Sequence, residues 1–186
     1  ARHAELSRLL EAEAGVAGVT MSVAVPGAEP WAFVEVDEPD GRPGPEALSA
    51  EHLSHVLVEF NRVDHAFFDL FDVPLLSGRR FETGDFEPGR TGILVNRTFG
   101  RDIAGNGNPL GYLVRYATTT AGPASEPGPW FEIVGVVDDL PANAERRRVY
   151  HPLTPGQIQP LSLTVRVTPV ATGLANRLAE LTVALD

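Results

Sequence analysis

The chain has no cysteine and no lysine. Without cysteine there is no disulfide, no thiolate nucleophile and no cysteine-ligated zinc. That fits an oxidising compartment. With lysine absent, all 15 basic residues are arginine, which reads as a bias of genome composition and not as a function. Positive charge is itself scarce: the net charge is −10 and the isoelectric point is near 4.9. Such a chain lacks the basic footprint of a nucleic-acid binder, and it is not steered as a whole toward anionic lipid. Long apolar runs are missing too, so nothing approaches the ~20 residues that cross a bilayer. The opening "ARHAELSRLLEAEAG" forms no signal-peptide pattern, because Glu11 and Glu13 break its apolar centre.

With 186 residues, 43% of them hydrophobic, the chain can form one domain or two small lobes without covalent staples. A first helix is expected over about Ala4 to Ala14, with Leu6, Leu9, Leu10 and Ala14 near one face. Gly15 and Gly18 end it. "VAGVTMSVAVP" and "WAFVEV" read as strands, and "DEPDGRPGPEALSAEH" reads as a loop. "HVLVEFNRV" alternates, with Val56, Val58 and Phe60 on one face. Asp64 is placed to cap the short helix that follows. The first part therefore reads helix, three strands, helix.

The later part changes texture. Ile93 to Val95 is a strand, followed by a short helix that Asn96 caps. "AGNGNPLG" is a turn, "YLVRYATTT" a strand, "AGPASEPGP" a surface loop and "WFEIVGVVDDL" a β-branched strand. "VYHPL" and "LSLTVRVT" are strands joined by the turn "TPGQIQP". Thr168–Pro169 opens a last helix, in which Leu174, Leu178, Leu181 and Leu185 form one stripe. Helix-like sequence at both ends raises the expectation of a domain cut from a longer chain, membrane-spanning segments being one candidate for what flanks it.

Four segments, in order, resemble one family. They are "FNRVDHAFFDLFDVPLLSGRRF", "ILVNRTFGRDIAGNGNPLG", "FEIVGVVDDL" followed by "RRRVYHPL", and "LTVRVTPVATGLANRLAELTVALD". Together they resemble the MacB-like periplasmic core domain over roughly Val19 to Asp186. Three places depart from its pattern. Phe71-Asp72-Val73-Pro74 stands where the family has Leu-Gly-Ile-Pro, Gly111-Tyr112 where it often has Gly-Lys, and "GNGNP" where it has P-G-x-x-P.

The resemblance implies the extracytoplasmic domain of an ABC transporter permease of the FtsX-like, MacB-type superfamily, on the periplasmic face of the bacterial inner membrane between the first two membrane helices. It implies an α+β fold in two lobes. A porter-like lobe, a small sheet with helices, takes residues 1–78 and 150–186, and an inserted β-rich lobe takes 79–149. The implied role is mechanotransmission, coupling cytoplasmic ATP hydrolysis to substrate export or other extracytoplasmic work. The implied partners are the chain's own transmembrane helices and a cytoplasmic ABC ATPase, with a periplasmic adaptor, peptide or lipoprotein as further candidates. The full-length permease is expected to be a dimer and the isolated domain a monomer. The alternative is a small-molecule or lipid/lipoprotein-binding module with an inter-lobe groove.

No residue constellation points to an enzyme, and no catalytic, cofactor or metal site is expected. His52, His55, Asp64 and His65 lie near one another in sequence, but a strand beginning at His55 separates the histidines. Asp138 and Asp139 point to opposite faces and do not pair for acid–base work. "GNGNPLG" lacks the Lys-Ser/Thr of a phosphate loop, and no G-x-S-x-G occurs. Arg146, Arg147 and Arg148 form the one basic run and are the candidate partner-docking residues, weighed against ordinary solvated charge. Trp31 and Trp130 are expected first in the core or at the lobe interface and second as an exposed aromatic patch for a partner, and Phe67, Leu70 and Phe71 on the buried face of their helix, with Phe68 beside them.

Overall fold

Alternating β-branched and aromatic residues place the strands, and Gly, Pro and Asn end them. The computed structural model describes residues 2–37, 56–117, 128–154 and 161–169. The first part is α1 (Arg2–Glu11), β1 (Val16–Ser22), β2 (Trp31–Asp37), β3 (Val56–Val63), α2 (Phe67–Leu70) and β4 (Leu75–Gly78). After a 3-10 turn at Thr83–Phe86 come β5 (Gly92–Asn96), α3 (Arg97–Ala104), β6 (Leu113–Tyr116), β7 (Phe131–Val137), β8 (Arg148–Pro152) and β9 (Ser162–Val167). This is the expected α+β fold. The expected terminal helix with Leu174 and Leu178, the His52 and His55 pair, and most of "AGPASEPGP" lie outside the described residues.

Six strands close into a ring in the order β2, β3, β8, β5, β7, β6 and back to β2. Val34 of β2 completes it, pairing with Val56 on one edge and Tyr116 on the other. Inside the ring lie Val34, Val36, Val56, Val58, Ile93, Val95, Val114, Ile133 and Val149. Helix α3 adds Phe99 and Ile103 to this cluster. Its start is built as expected: the Asn96 side chain accepts from the Phe99 N–H at 3.2 Å.

Because side chains alternate along a strand, β5 and β8 send their other residues outward. Leu94 and Tyr150 enter a second cluster with Val63, Phe67, Phe68, Val73, Val137 and Leu140. Both faces of β8 are thus covered, and all five of its residues are buried. The aromatic stretch forms this second core. Phe67 and Phe68 are buried, and Phe71 is half-buried beside Phe67 at 4.9 Å between ring centroids.

Helix α2 ends in a Schellman motif. The Asp72 N–H bonds to the Asp69 carbonyl and the Val73 N–H to the Phe68 carbonyl at 2.8 Å. This puts Asp72 at φ 53°, the left-handed region that favours glycine. The family's Gly at this position is explained by that backbone, and Asp72 is among the few side-chain types that tolerate it. Its carboxylate pairs with Arg166 of β9 at 2.8 Å.

Strand β4, four residues between Pro74 and Arg79, was not legible in the sequence. It pairs antiparallel with β7, Gly78 opposite Gly135. A Cβ on Gly135 would lie 2.2 Å from the Arg79 carbonyl oxygen and 2.7 Å from Leu94. The glycine is what lets the chain cross here.

Two substitutions test this core. Phe67→Ala is expected to cost about 3–5 kcal/mol in denaturant unfolding, and Phe71→Ala less. Gly135→Ala is expected to cost about 3 kcal/mol, because a backbone oxygen cannot move aside cheaply. A loss under about 1 kcal/mol in either buried case contradicts the packing described.

Candidate functional site

Among the described residues lies a groove of about 720 Å³. One wall is α1, with Ser7, Arg8 and Glu11, and the floor is Val19 and Met21 of β1 with Leu153. The other wall is Phe81, Thr83 and Phe86, which follow β4. The groove therefore runs between residues on either side of position 78/79.

Local bonding holds each wall. The Arg79 guanidinium grips Asp85 through two bonds of 2.5 and 3.0 Å. Asp85 also accepts from the Glu82 N–H at 2.7 Å, which pins the 3-10 turn. The Arg79 hydrogen bond keeps the Asp85 carboxyl below its usual range. Phe81 and Phe86 then meet edge to face at 5.9 Å, and His65 stacks its ring edge on Phe86 at 5.5 Å. Asp64 accepts from the Ala66 N–H, two residues on, as expected of a cap. Its other bonds go to β1: the Thr20 hydroxyl at 2.5 Å and the Met21 N–H at 2.8 Å. It is more a strand clamp than a helix cap, since the helix starts only at Phe67.

The arginine run does not form one exposed patch. Arg148 is 1% exposed and bonds Glu59 at 3.0 Å and the Ala142 carbonyl at 2.5 Å. Glu29 lies 3.7 Å away. Arg146 pairs with the other Glu59 oxygen and covers the Trp31 ring at 4.8 Å. Arg147 pairs with Asp102 at 2.6 Å. Only Arg146 and Arg147 reach solvent, each already ion-paired. Trp31 departs from its expected core place: it is 48% exposed on the outer face of β2, under that guanidinium. Trp130 is half-buried beneath Arg115 at 4.3 Å.

Asp138 and Asp139 diverge as expected. Asp138 binds Arg97 at 2.8 Å, while Asp139 accepts from Thr98 and from Asn96 at the start of α3. Among the described residues no three His, Asp or Glu side chains gather as metal ligands. No described helix is long and apolar enough to cross a membrane.

Sequence reasoning overlooked His151. It lies on the inner face of β8 with its ring against Phe131 at 4.7 Å, and its Nε2 shares a 2.6 Å hydrogen bond with the Tyr116 hydroxyl. Burial, aided by Arg62, pushes the imidazole down to about 3. Burial likewise pushes the Tyr116 phenol upward. The pair is neutral over the ordinary pH range. The signal was present in the alternation of "VYHPL", which puts His151 on the same face as Val149.

The described residues form a mixed barrel with the first and last described strands side by side and a lateral groove. The family model of the MacB-like periplasmic core domain matches residues 8–180. The chain belongs to that family, and it is a periplasmic-type domain of an ABC transporter permease. Three solved structures share the fold. The periplasmic region of MacB from Actinobacillus actinomycetemcomitans superposes with TM-score 0.64 at 16% identity, over 98% of this chain and 73% of that one. A domain of a putative permease from Porphyromonas gingivalis gives 0.61 at 19% identity, over 97% and 76%. The extracellular domain of the noncanonic ABC-type transporter YknZ from Gram-positive bacteria gives 0.55 at 16% identity, over 95% and 76%. The sequence matches no curated protein.

His151 makes stability depend on pH in a definite sense. Its folded value lies below the free value of 6.5, so the unfolded chain takes up the proton first. Stability is full above about pH 6.5 and falls below it by about 1.4 kcal/mol per pH unit. Urea unfolding from pH 7 to 4.5 is expected to show this slope, and His151→Gln to flatten it. An unchanged slope in the variant assigns the effect elsewhere.

Proposed function

We propose that this domain is a mechanotransmission element, passing motion from membrane helices and a cytoplasmic ABC ATPase to work outside the cytoplasm. The observation that carries the reading is the pairing of the first described strand with the last described one. β1 and β9 run antiparallel from Val16 opposite Val167 to Ser22 opposite Ser162. The chain enters β1 and leaves β9 at one place, where flanking membrane helices would pull together. Residues 1–78 with 150–186 serve as the porter-like lobe and 79–149 as the inserted lobe. Ladders join the two, β2 to β6 and β4 to β7, so a displacement at one end reaches the other with little loss. Export of a substrate and docking of an adaptor would both use that displacement.

The test uses the full-length permease dimer with its ATPase, any cysteine outside these 186 cysteine-free residues being replaced first. A spin label on Arg101→Cys, exposed on α3, reports the distance between the two copies. ATP binding is expected to change that distance. A flexible Gly-Ser insertion after Val167 is expected to abolish the change while ATP hydrolysis persists. An unaltered distance change with the insertion sinks the reading.

The groove favours a second reading, a site for the acyl chain of a lipid or lipoprotein. Its lining of Val19, Met21, Phe81, Phe86 and Leu153 and its volume suit such a tail. Titration with a fluorescent fatty acid should then saturate, and Met21→Glu should remove the signal. Binding that does not saturate rejects this reading.

A further inference from the structure

The ring of strands has a mouth. On β3 the inward series Val56, Val58 and Phe60 continues, two residues on, to Arg62. Arg62 sits in parallel register with His151 of β8. Beneath it Phe60, Tyr116, Phe131 and His151 form a closed aromatic floor, with successive ring centroids 4.7 to 6.0 Å apart. Above that floor is a cavity of about 300 Å³, lined by Arg62, His151 and Phe131 and by Pro88, Pro129 and Pro152. It is separate from the α1 groove.

Arg62 is the anomaly. Of the described arginines that are buried or half-buried, it alone has no carboxylate partner. This occurs in a chain with 25 acidic residues against 15 basic ones. Acidic side chains are close by: Asp85 and Glu87 also line the cavity. Each is taken, Asp85 by Arg79 and Glu87 by Arg90. A guanidinium left free over an apolar floor, with neighbouring carboxylates already neutralised, leaves room for one more negative group.

We infer that the barrel mouth binds a small monocarboxylate with a flat or apolar body, its carboxylate on Arg62 and its body against Phe131 and the three prolines. The planar guanidinium fork suits a carboxylate through two parallel bonds. Arg90 also lines the cavity but is held by Glu87, so a dianion such as phosphate would bring a second charge beside Asp85 and Glu87 with only an already paired cation to meet it. The carboxylate can belong to a free organic acid or to the end of a peptide chain, since the chemistry recognised is the same.

The test is a titration of the isotope-labelled protein followed by nuclear magnetic resonance, reading the Arg62 side-chain N–H and the Phe131 and His151 rings. The probes are sodium benzoate, benzamide, inorganic phosphate, and a prolyl tripeptide with its C-terminus free or amidated. Benzoate, the free-ended peptide or both are expected to give saturable shifts, and which of them does identifies the source. Benzamide and the amidated peptide are expected to give none. Arg62→Gln should weaken binding about tenfold or more, and Arg62→Lys, which keeps the charge but loses the fork, by less. Equal shifts with benzamide, tighter binding of phosphate, or a folded Arg62→Gln protein that binds benzoate as before would each overturn the assignment. So would shifts that never saturate, and the arms without a substitution decide the matter even if the variant fails to fold.

Discussion

Everything in this domain depends on the closure of the strand ring at β2. That strand is short, and it uses both of its edges, one against β3 and the other against β6. A sheet with an open edge can twist, slip or recruit another chain, whereas a closed one has no free edge to move along. Closure also creates an inside and an outside. The inside becomes the first hydrophobic cluster, and the outside of β5, β7 and β8 becomes the seat of the second, where the aromatic helix docks.

The buried ions reinforce the same joint. Glu59 of β3 and Arg148 of β8 lie on neighbouring strands and are both out of solvent. Such a pair adds little net stability, but losing one partner strands the other, at a cost of about 3–5 kcal/mol. The arginine run that looked like a surface patch is therefore partly a lock on strand pairing. Its first two members tie β3 and α3 to the segment before β8.

Much of the fold was legible because strands write their pattern locally. The alternation in "VLVEFNRV" gave the inner face of β3, and Asn96 gave the start of α3. The family likeness added the glycine expected at position 72, whose meaning became clear only from the left-handed backbone of Asp72. Ring closure was not legible, since which strands meet is set by contacts distant in sequence. Strand β4 was hidden for a related reason: four residues after a proline carry too little periodicity to separate a strand from a turn. Of the candidate sites, the lining of the groove was not legible by residue, since it gathers side chains distant in sequence. Arg62 and His151 were within reach of the alternation rule and were masked by a search for clustered histidines and carboxylates.

Strands from both parts of the chain form one body, and native-state hydrogen exchange of the 186-residue protein tests this. If the ring is one cooperative unit, the slowest amides of β3, β8, β5 and β7 exchange with a common opening free energy and a common denaturant dependence. If β5 and β7 instead open at a distinctly lower free energy than β3 and β8, the two parts unfold independently, and the ring does not join them as described.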